Sequence, residues 1–159
     1  MKLYIKQKVF SFNDKFTVKD EYGEDKYFAE GEFFSFGKKL HILNLNGDEL
    51  ISIEQRLFTF MPQYDIVKNG QTMATIRKKF SFFYPSYEID GMPITVEGDF
   101  FDHTYDIFRE GQNIASIYKE WFTWGDSYVV DINSHTATDP LILLAIAITI
   151  DCVIDSQNN

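Results

Sequence analysis

Over most of the chain apolar and polar side chains alternate with a period of two. Ile51, Ile53 and Leu57 fall on one face of a segment, with Ser52, Glu54 and Arg56 opposite, and the same rows recur as Ala74, Ile76, Phe80 and Ala115, Ile117, Trp121. Alternation of this kind predicts strands that pack on one face and meet water on the other. Gln55, Lys78 and Lys119 interrupt the apolar rows, which calls for a bulge or a place at a wet rim. Beyond Ile132 the pattern changes. Thr138-Asp139-Pro140 opens an apolar run from Leu141 to Ile150, continued past Asp151 by Cys152, Val153 and Ile154. Here the spacing predicts a helix over about residues 139–155. Pro140 suits its first turn, where a missing N–H costs nothing, and Asp139 or Thr138 can cap it. A helix apolar on every side needs a complete hydrophobic sleeve, so Leu144, Ile146 and Ile148 should all bury whichever way they point.

The strands come in repeated pairs. His41–Phe60, Tyr64–Phe83 and Tyr105–Trp124 each carry Gly at the seventh position (Gly47, Gly70, Gly111) and Ile at the thirteenth (Ile53, Ile76, Ile117). A longer echo, Glu30-Gly31-Glu32-Phe33-Phe34 against Glu97-Gly98-Asp99-Phe100-Phe101, suggests two related halves. Asn46-Gly47, Asn69-Gly70 and Asp90-Gly91 are type I′ hairpin signals, since both central residues need positive φ; Tyr22-Gly23 and Glu110-Gly111 are weaker ones. Two strands per hairpin, with one more near each end of the β region, give about twelve strands over about residues 3–132. The expected fold is mainly β: a closed antiparallel barrel, with the helix of about 139–155 filling its lumen and residues 1–159 forming one domain. Closure removes sheet edges, and the helix fills a lumen that strand side chains alone would leave open.

Composition narrows the function classes. The chain has 159 residues, 45% hydrophobic and 17% aromatic, with a net charge of −9. Such a polyanion is unsuited to sequence-independent nucleic-acid binding. One cysteine, Cys152, excludes an intramolecular disulfide and a multi-cysteine zinc site. No apolar run near the start resembles a signal peptide, and the ten-residue run before Asp151 falls short of the roughly 20 that span a bilayer. These features lead us to expect a cytoplasmic monomer without a cofactor.

Candidate chemistry is sparse. The chain has no G-x-S-x-G, P-loop, dinucleotide-binding or H-E-x-x-H motif. His41, His103 and His135 share no metal-ligand spacing and read as surface or hairpin-end histidines. Asp99, Asp102, His103 and Asp106 form the densest acid–His group. Metal binding or acid–base work would use such residues, but solvated turn charges explain them more simply. The same holds for Asp20, Glu21, Glu24 and Asp25 at the first hairpin tip. Cys152, inside the apolar helix, should be buried and inert. A weak basic patch is conceivable from Lys38, Lys39, Arg77 and Lys79. Asp151 follows the apolar run, where burial without a partner would be costly. Two placements are open for it: the barrel mouth, hydrated or bonded to loop backbone, or a salt bridge to an inward lysine, Lys78 or Lys119, that pins the helix in register.

The YDI-x-x-x-G-x-x-x-A-x-I-x-K hairpins, at Tyr64–Lys78 and Tyr105–Lys119, and the terminal D-P-x-x-x-L-A-I-A-I-x-I-D segment from Asp139 to Asp151 resemble the LURP-one-related family. That resemblance implies a tubby-like fold, a twelve-stranded barrel threaded by a hydrophobic helix, for about Lys6 to Ile154. The wider tubby-like group includes phosphoinositide-binding tubby domains and phospholipid scramblases. Fold alone does not carry their activities across, and this chain lacks the cysteine-rich and acidic calcium-binding segments of scramblases. The expected role is a non-enzymatic barrel module that binds a protein partner or small ligand. Its alternative is a membrane-associated protein binding phospholipid or phosphoinositide.

Overall fold

The computed structural model describes residues 1–6, 15–32, 36–120 and 127–158, with side chains described to residue 154. Twelve strands precede one helix: β1 (Lys2–Lys6), β2 (Lys15–Asp20), β3 (Asp25–Gly31), β4 (Lys39–Leu43), β5 (Glu49–Gln55), β6 (Gln63–Lys68), β7 (Gln71–Lys79), β8 (Ser86–Asp90), β9 (Ile94–Asp99), β10 (Thr104–Arg109), β11 (Gln112–Glu120), β12 (Ser127–Ile132) and α1 (Pro140–Asn158). They form one antiparallel sheet in the order β8-β7-β6-β5-β4-β3-β2-β1-β12-β11-β10-β9. First and last strands meet along a ladder that pairs Leu3 with Val130 and Ile5 with Tyr128. β8 and β9 lie side by side without a ladder between them, so the barrel is nearly closed, with one seam.

The helix fills the lumen as the apolar run requires. Every residue from Leu141 to Ile154 is buried. Pairs of inward residues two apart, such as Leu40 and Ile42, Ile51 and Ile53, or Ala115 and Ile117, supply the sleeve. Asp139 is the cap: its Oδ1 accepts the Leu141 N–H at 2.9 Å and its carbonyl accepts the Ile142 N–H at 3.0 Å. Thr138 instead accepts a bond from Arg109 Nη1 at 3.0 Å. Within the dry helix, the Thr149 hydroxyl bonds back to the Ala145 carbonyl at 2.7 Å, the usual recourse of a buried threonine. Among the described residues no helix is long and apolar enough to cross a membrane.

Because neighbouring strands are antiparallel, connections fall alternately at the barrel's two ends. The links β2–β3, β4–β5, β6–β7, β8–β9 and β10–β11 have two to five residues and make a turn end, where α1 begins. The described links β5–β6, β7–β8 and β9–β10 have four to seven residues and, with the described part of β3–β4, lie at a loop end, toward which α1 points its C-terminus. Asn69-Gly70 and Glu110-Gly111 are both positive in φ at both residues, as a type I′ turn demands. Asn46-Gly47 differs from the expectation. Only Gly47 is left-handed there (φ +87°), within a longer turn that Asn44 Oδ1 holds by accepting the N–H groups of Asn46 and Asp48 at 2.9 Å each. Asp90-Gly91 likewise has a left-handed residue only at Gly91 (φ +91°).

Candidate functional site

The polar residues that break the apolar rows sit at the loop end. Gln55 ends β5 with its Oε1 accepting the Lys38 N–H at 3.1 Å. Lys119 reaches out to Asp102 at 2.7 Å, which holds the Asp102 carboxyl below its usual range. Lys78 is half-buried on β7, and burial lowers its ammonium pKa. Leu57 and Phe80, placed in the apolar rows by period alone, lie beyond the strand ends and are exposed. Trp121 is outside the described residues.

Asp151 is buried at the same end, where it pairs with a histidine of the β9–β10 link, a contact the sequence did not suggest. His103 Nε2 and Asp151 Oδ1 are hydrogen-bonded, with side-chain exposures of 13% and 6%. His103 is therefore no surface residue, although it does occupy a hairpin link. That link, Phe100 to His103, folds over the helix end. Its φ of +50° at His103 aims the ring inward, where it stacks on Tyr128 at 5.1 Å between centroids. A carboxylate only accepts, so the geometry fits a ring with hydrogen on Nε2. His103 Nδ1 and the Tyr87 hydroxyl are buried with no hydrogen-bond partner among the described residues. Burial pushes the Tyr87 and Tyr105 hydroxyls far up in pKa, and the charge on Asp151 adds to it. A His–Asp pair can orient a catalytic base, but here the second ring nitrogen is enclosed. The arrangement ties the β9–β10 link to the helix.

The remaining acid–His group dissolves into separate contacts. Asp106 accepts the Ser116 hydroxyl at 2.5 Å, and Asp99 Oδ1 accepts the Asp102 N–H at 3.2 Å. No group of three or more His, Cys, Asp and Glu side chains among the described residues is placed to hold a metal. His41 bridges Glu32 at 3.0 Å and Glu49 at 2.5 Å on the barrel wall; His135 lies in the link before α1. Asp20 is more than a solvated tip charge. It is buried, and its Oδ1 accepts the N–H groups of Tyr22 and Glu24 at 2.9 Å each. Burial pushes its carboxyl upward, but those two bonds and Lys26 bring it below the usual range. The four basic candidates do not form one patch. Arg77 pairs with Asp90 at 2.6 Å. Lys38 and Lys39 adjoin β4, three strands from Lys79 on β7, roughly 14 Å away at normal strand spacing.

The loop end holds a feature the sequence did not reveal. Nine large aromatics are exposed among the described residues, and eight of them stand on its links: Phe36, Phe58, Phe60, Phe80, Phe82, Phe83, Tyr84 and Phe101; only Tyr22 is at the turn end. Phe58 is 99% exposed and left-handed at φ +59°, an arrangement that disfavours a bulky side chain twice over. Above the seam, the β7–β8 link and the end of β9 flank a cleft of about 440 Å³ lined by Phe83, Tyr84, Pro85, Asp99, Phe100 and Phe101 together with Gly98. Phe100 is its fixed wall. It is buried edge-on against Tyr87 of β8 at 4.7 Å and tilted against Tyr105 of β10 at 5.1 Å, stitching the seam with side chains where backbone bonds are lacking. Gly98 (φ +144°) lets β9 and β10 touch: a Cβ there would lie 2.5 Å from Thr104 O and Tyr105 Cα.

A family model described as LOR, LURP-one-related, matches residues 1–151. The chain belongs to the LURP-one-related family. It is 37% identical over 99 residues to the uncharacterized protein YxjI of Bacillus subtilis (strain 168), an alignment covering 62% of this chain and 61% of that relative's length. It also shares its fold with a protein from Arabidopsis thaliana solved by X-ray crystallography, at TM-score 0.66 and 12% identity over 96% of this chain and 90% of the other. At that identity the plant structure speaks for the fold alone.

Proposed function

We propose that this protein is a non-enzymatic barrel module whose contact face is the loop end, where it engages a protein partner or small ligand. The observation that carries this reading is the one-sided distribution of exposed aromatics among the described residues, eight on the loop-end links against one on the turns. Contiguous exposed apolar surface marks interaction sites, and aromatic anchors are enriched where binding energy concentrates. The test is photo-crosslinking in the cell, with a photoreactive phenylalanine at Phe58, Phe60 or Tyr22. Discrete adducts from Phe58 and Phe60 and none from Tyr22 support the loop-end face. Equal adducts at all three positions, or adducts from Tyr22 alone, overturn it.

One observation favours a lipid surface as the partner. Lys38, Lys39 and Lys79 lie at the aromatic end, while Glu21, Glu24, Asp25, Asp48, Glu49 and Glu110 lie at or beside the opposite turns. That asymmetry would turn the aromatic end toward an anionic membrane. Salt-sensitive cosedimentation with anionic vesicles, lost in Phe58→Ser with Phe60→Ser, is the expected result on that reading. Vesicle binding that survives both substitutions would count against it.

A further inference from the structure

We propose that the cleft above the β8–β9 seam binds an organic cation of the quaternary-ammonium class. Its volume of about 440 Å³ lies within the range of small-molecule sites. Among the described residues the lining combines three phenylalanines and a tyrosine with one carboxylate, and no cationic or amide side chain. Aromatic faces attract cations through the ring quadrupole, and they do so best when the cation carries no hydrogen-bond donors that the site would leave unmet. A primary ammonium or a guanidinium brings three to five donors, and among the described residues the only charged acceptor on the wall is Asp99. A trimethylammonium group brings none. Its charge is spread over methyl groups that pack against rings.

Asp99 is placed to supply the counter-charge. Its Oδ1 is fixed by the Asp102 N–H at 3.2 Å, and it forms no ion pair among the described residues, whereas neighbouring Asp102 is neutralised by Lys119 at 2.7 Å. Phe100 gives the site a preformed back wall, held between Tyr87 and Tyr105. Phe83, Tyr84 and Phe101 are exposed around it and gain burial when a ligand enters.

The inference rests on reading the loop end as the contact face. The test titrates intact protein with choline and with 3,3-dimethylbutan-1-ol, its uncharged isostere, following aromatic NMR signals. Choline should saturate shifts at Phe83, Tyr84 and Phe101, and the isostere should bind about tenfold more weakly. Asp99→Asn and Phe101→Ala should each weaken choline several-fold while Tyr22→Ala, at the opposite end, leaves it unchanged. Vesicles with choline headgroups, compared with vesicles of phosphatidylglycerol, distinguish a lipid source from a free one, and preference for either source is consistent with the site. Equal affinity for the isostere, no saturable response to choline, or indifference to Asp99→Asn overturns the proposal. Crosslinks from Phe58 alongside a silent cleft would sink the cation site alone; loss of those crosslinks would sink the broader reading.

Discussion

At the turn end the links close on themselves, and the longer-range contacts, Lys68 with Asp139 and Arg109 with Thr138, seat the start of the helix. Asp20, Asn44, Asn133 and Asp139 each accept a backbone N–H two residues ahead, at 2.9, 2.9, 3.0 and 2.9 Å, the short side-chain turn that Asp and Asn form best. At the loop end the decisive contacts run between distant segments. His103 meets Asp151 across 48 residues of sequence, and Lys119 meets Asp102 across 17. The turn end spends its polar groups on closing hairpins. The loop end leaves aromatics in water and a left-handed phenylalanine at its tip. Folding alone explains the first pattern and gives no reason for the second.

Both ends hang on one helix, so the most damaging change should erase the distinction. Ile146 is wholly buried, and Ile146→Asp would put an unpaired charge into the core. A loss of about 3–5 kcal/mol is expected. In urea titrations followed by hydrogen exchange, both ends should then lose protection together; persistence of the turn-end hairpins would show that they fold independently of the helix.

Glycine substitutions compare the ends directly. Gly98→Ala meets Thr104 O and Tyr105 Cα at 2.5 Å in a backbone region open almost only to glycine, whereas Gly47→Ala meets nothing within 4 Å. We expect at least about 3 kcal/mol lost at Gly98 against about 1–2 kcal/mol at Gly47, where only the left-handed φ is penalised. Equal chemical-denaturation midpoints for the two variants would contradict the close approach of β9 and β10.

The buried pair should couple more strongly than the exposed one. A double-mutant cycle of His103→Ala and Asp151→Ala should give a coupling of roughly 0.5–3 kcal/mol. The Lys119–Asp102 cycle should give distinctly less, because solvent screens it. Additive behaviour at His103 and Asp151 would mean that the link over the helix end contributes no cohesion.

The smallest effect is a pH dependence at the turn end. Burial pushes the Asp139 carboxyl up, but Lys68 at 2.7 Å and the Leu141 N–H bring it below 3.8. A carboxyl depressed in the folded state contributes stability above its unfolded pKa and loses it as pH falls through the folded value. Asp139→Asn keeps the capping acceptor and should flatten stability loss only below about pH 4. An unchanged acid limb would show that the partly exposed Lys68 pair adds nothing.

The architecture was legible because it is written locally. Period-two rows, turn glycines and an all-round apolar run each predict their own element, and twelve strands around a helix followed from them. Gln55, Lys78 and Lys119 even marked the rim. Turn types were read less well: Asn69-Gly70 and Asn46-Gly47 look alike, but at the second Asn44 reshapes the turn. The partner of Asp151 was hidden because barrel closure alone brings the β9–β10 link over the helix end. The aromatic rim was hidden for a related reason. Phe58, Phe83 and Phe101 resemble core residues until the strand ends are known, and period alone carried Leu57 and Phe80 one step too far inward.

The seam between β8 and β9 also makes the barrel divisible. A cut in the link from residue 91 to residue 93 severs no ladder. It leaves residues 1–90 with eight consecutive strands, and residues 94–159 with four strands and the helix. The two pieces would share one backbone zipper, the five residue pairs of β1 with β12, and a greasy rod that neither could shield alone. Those are the ingredients of a protein that reassembles from fragments, with the helix as the plug that draws its missing wall back into place.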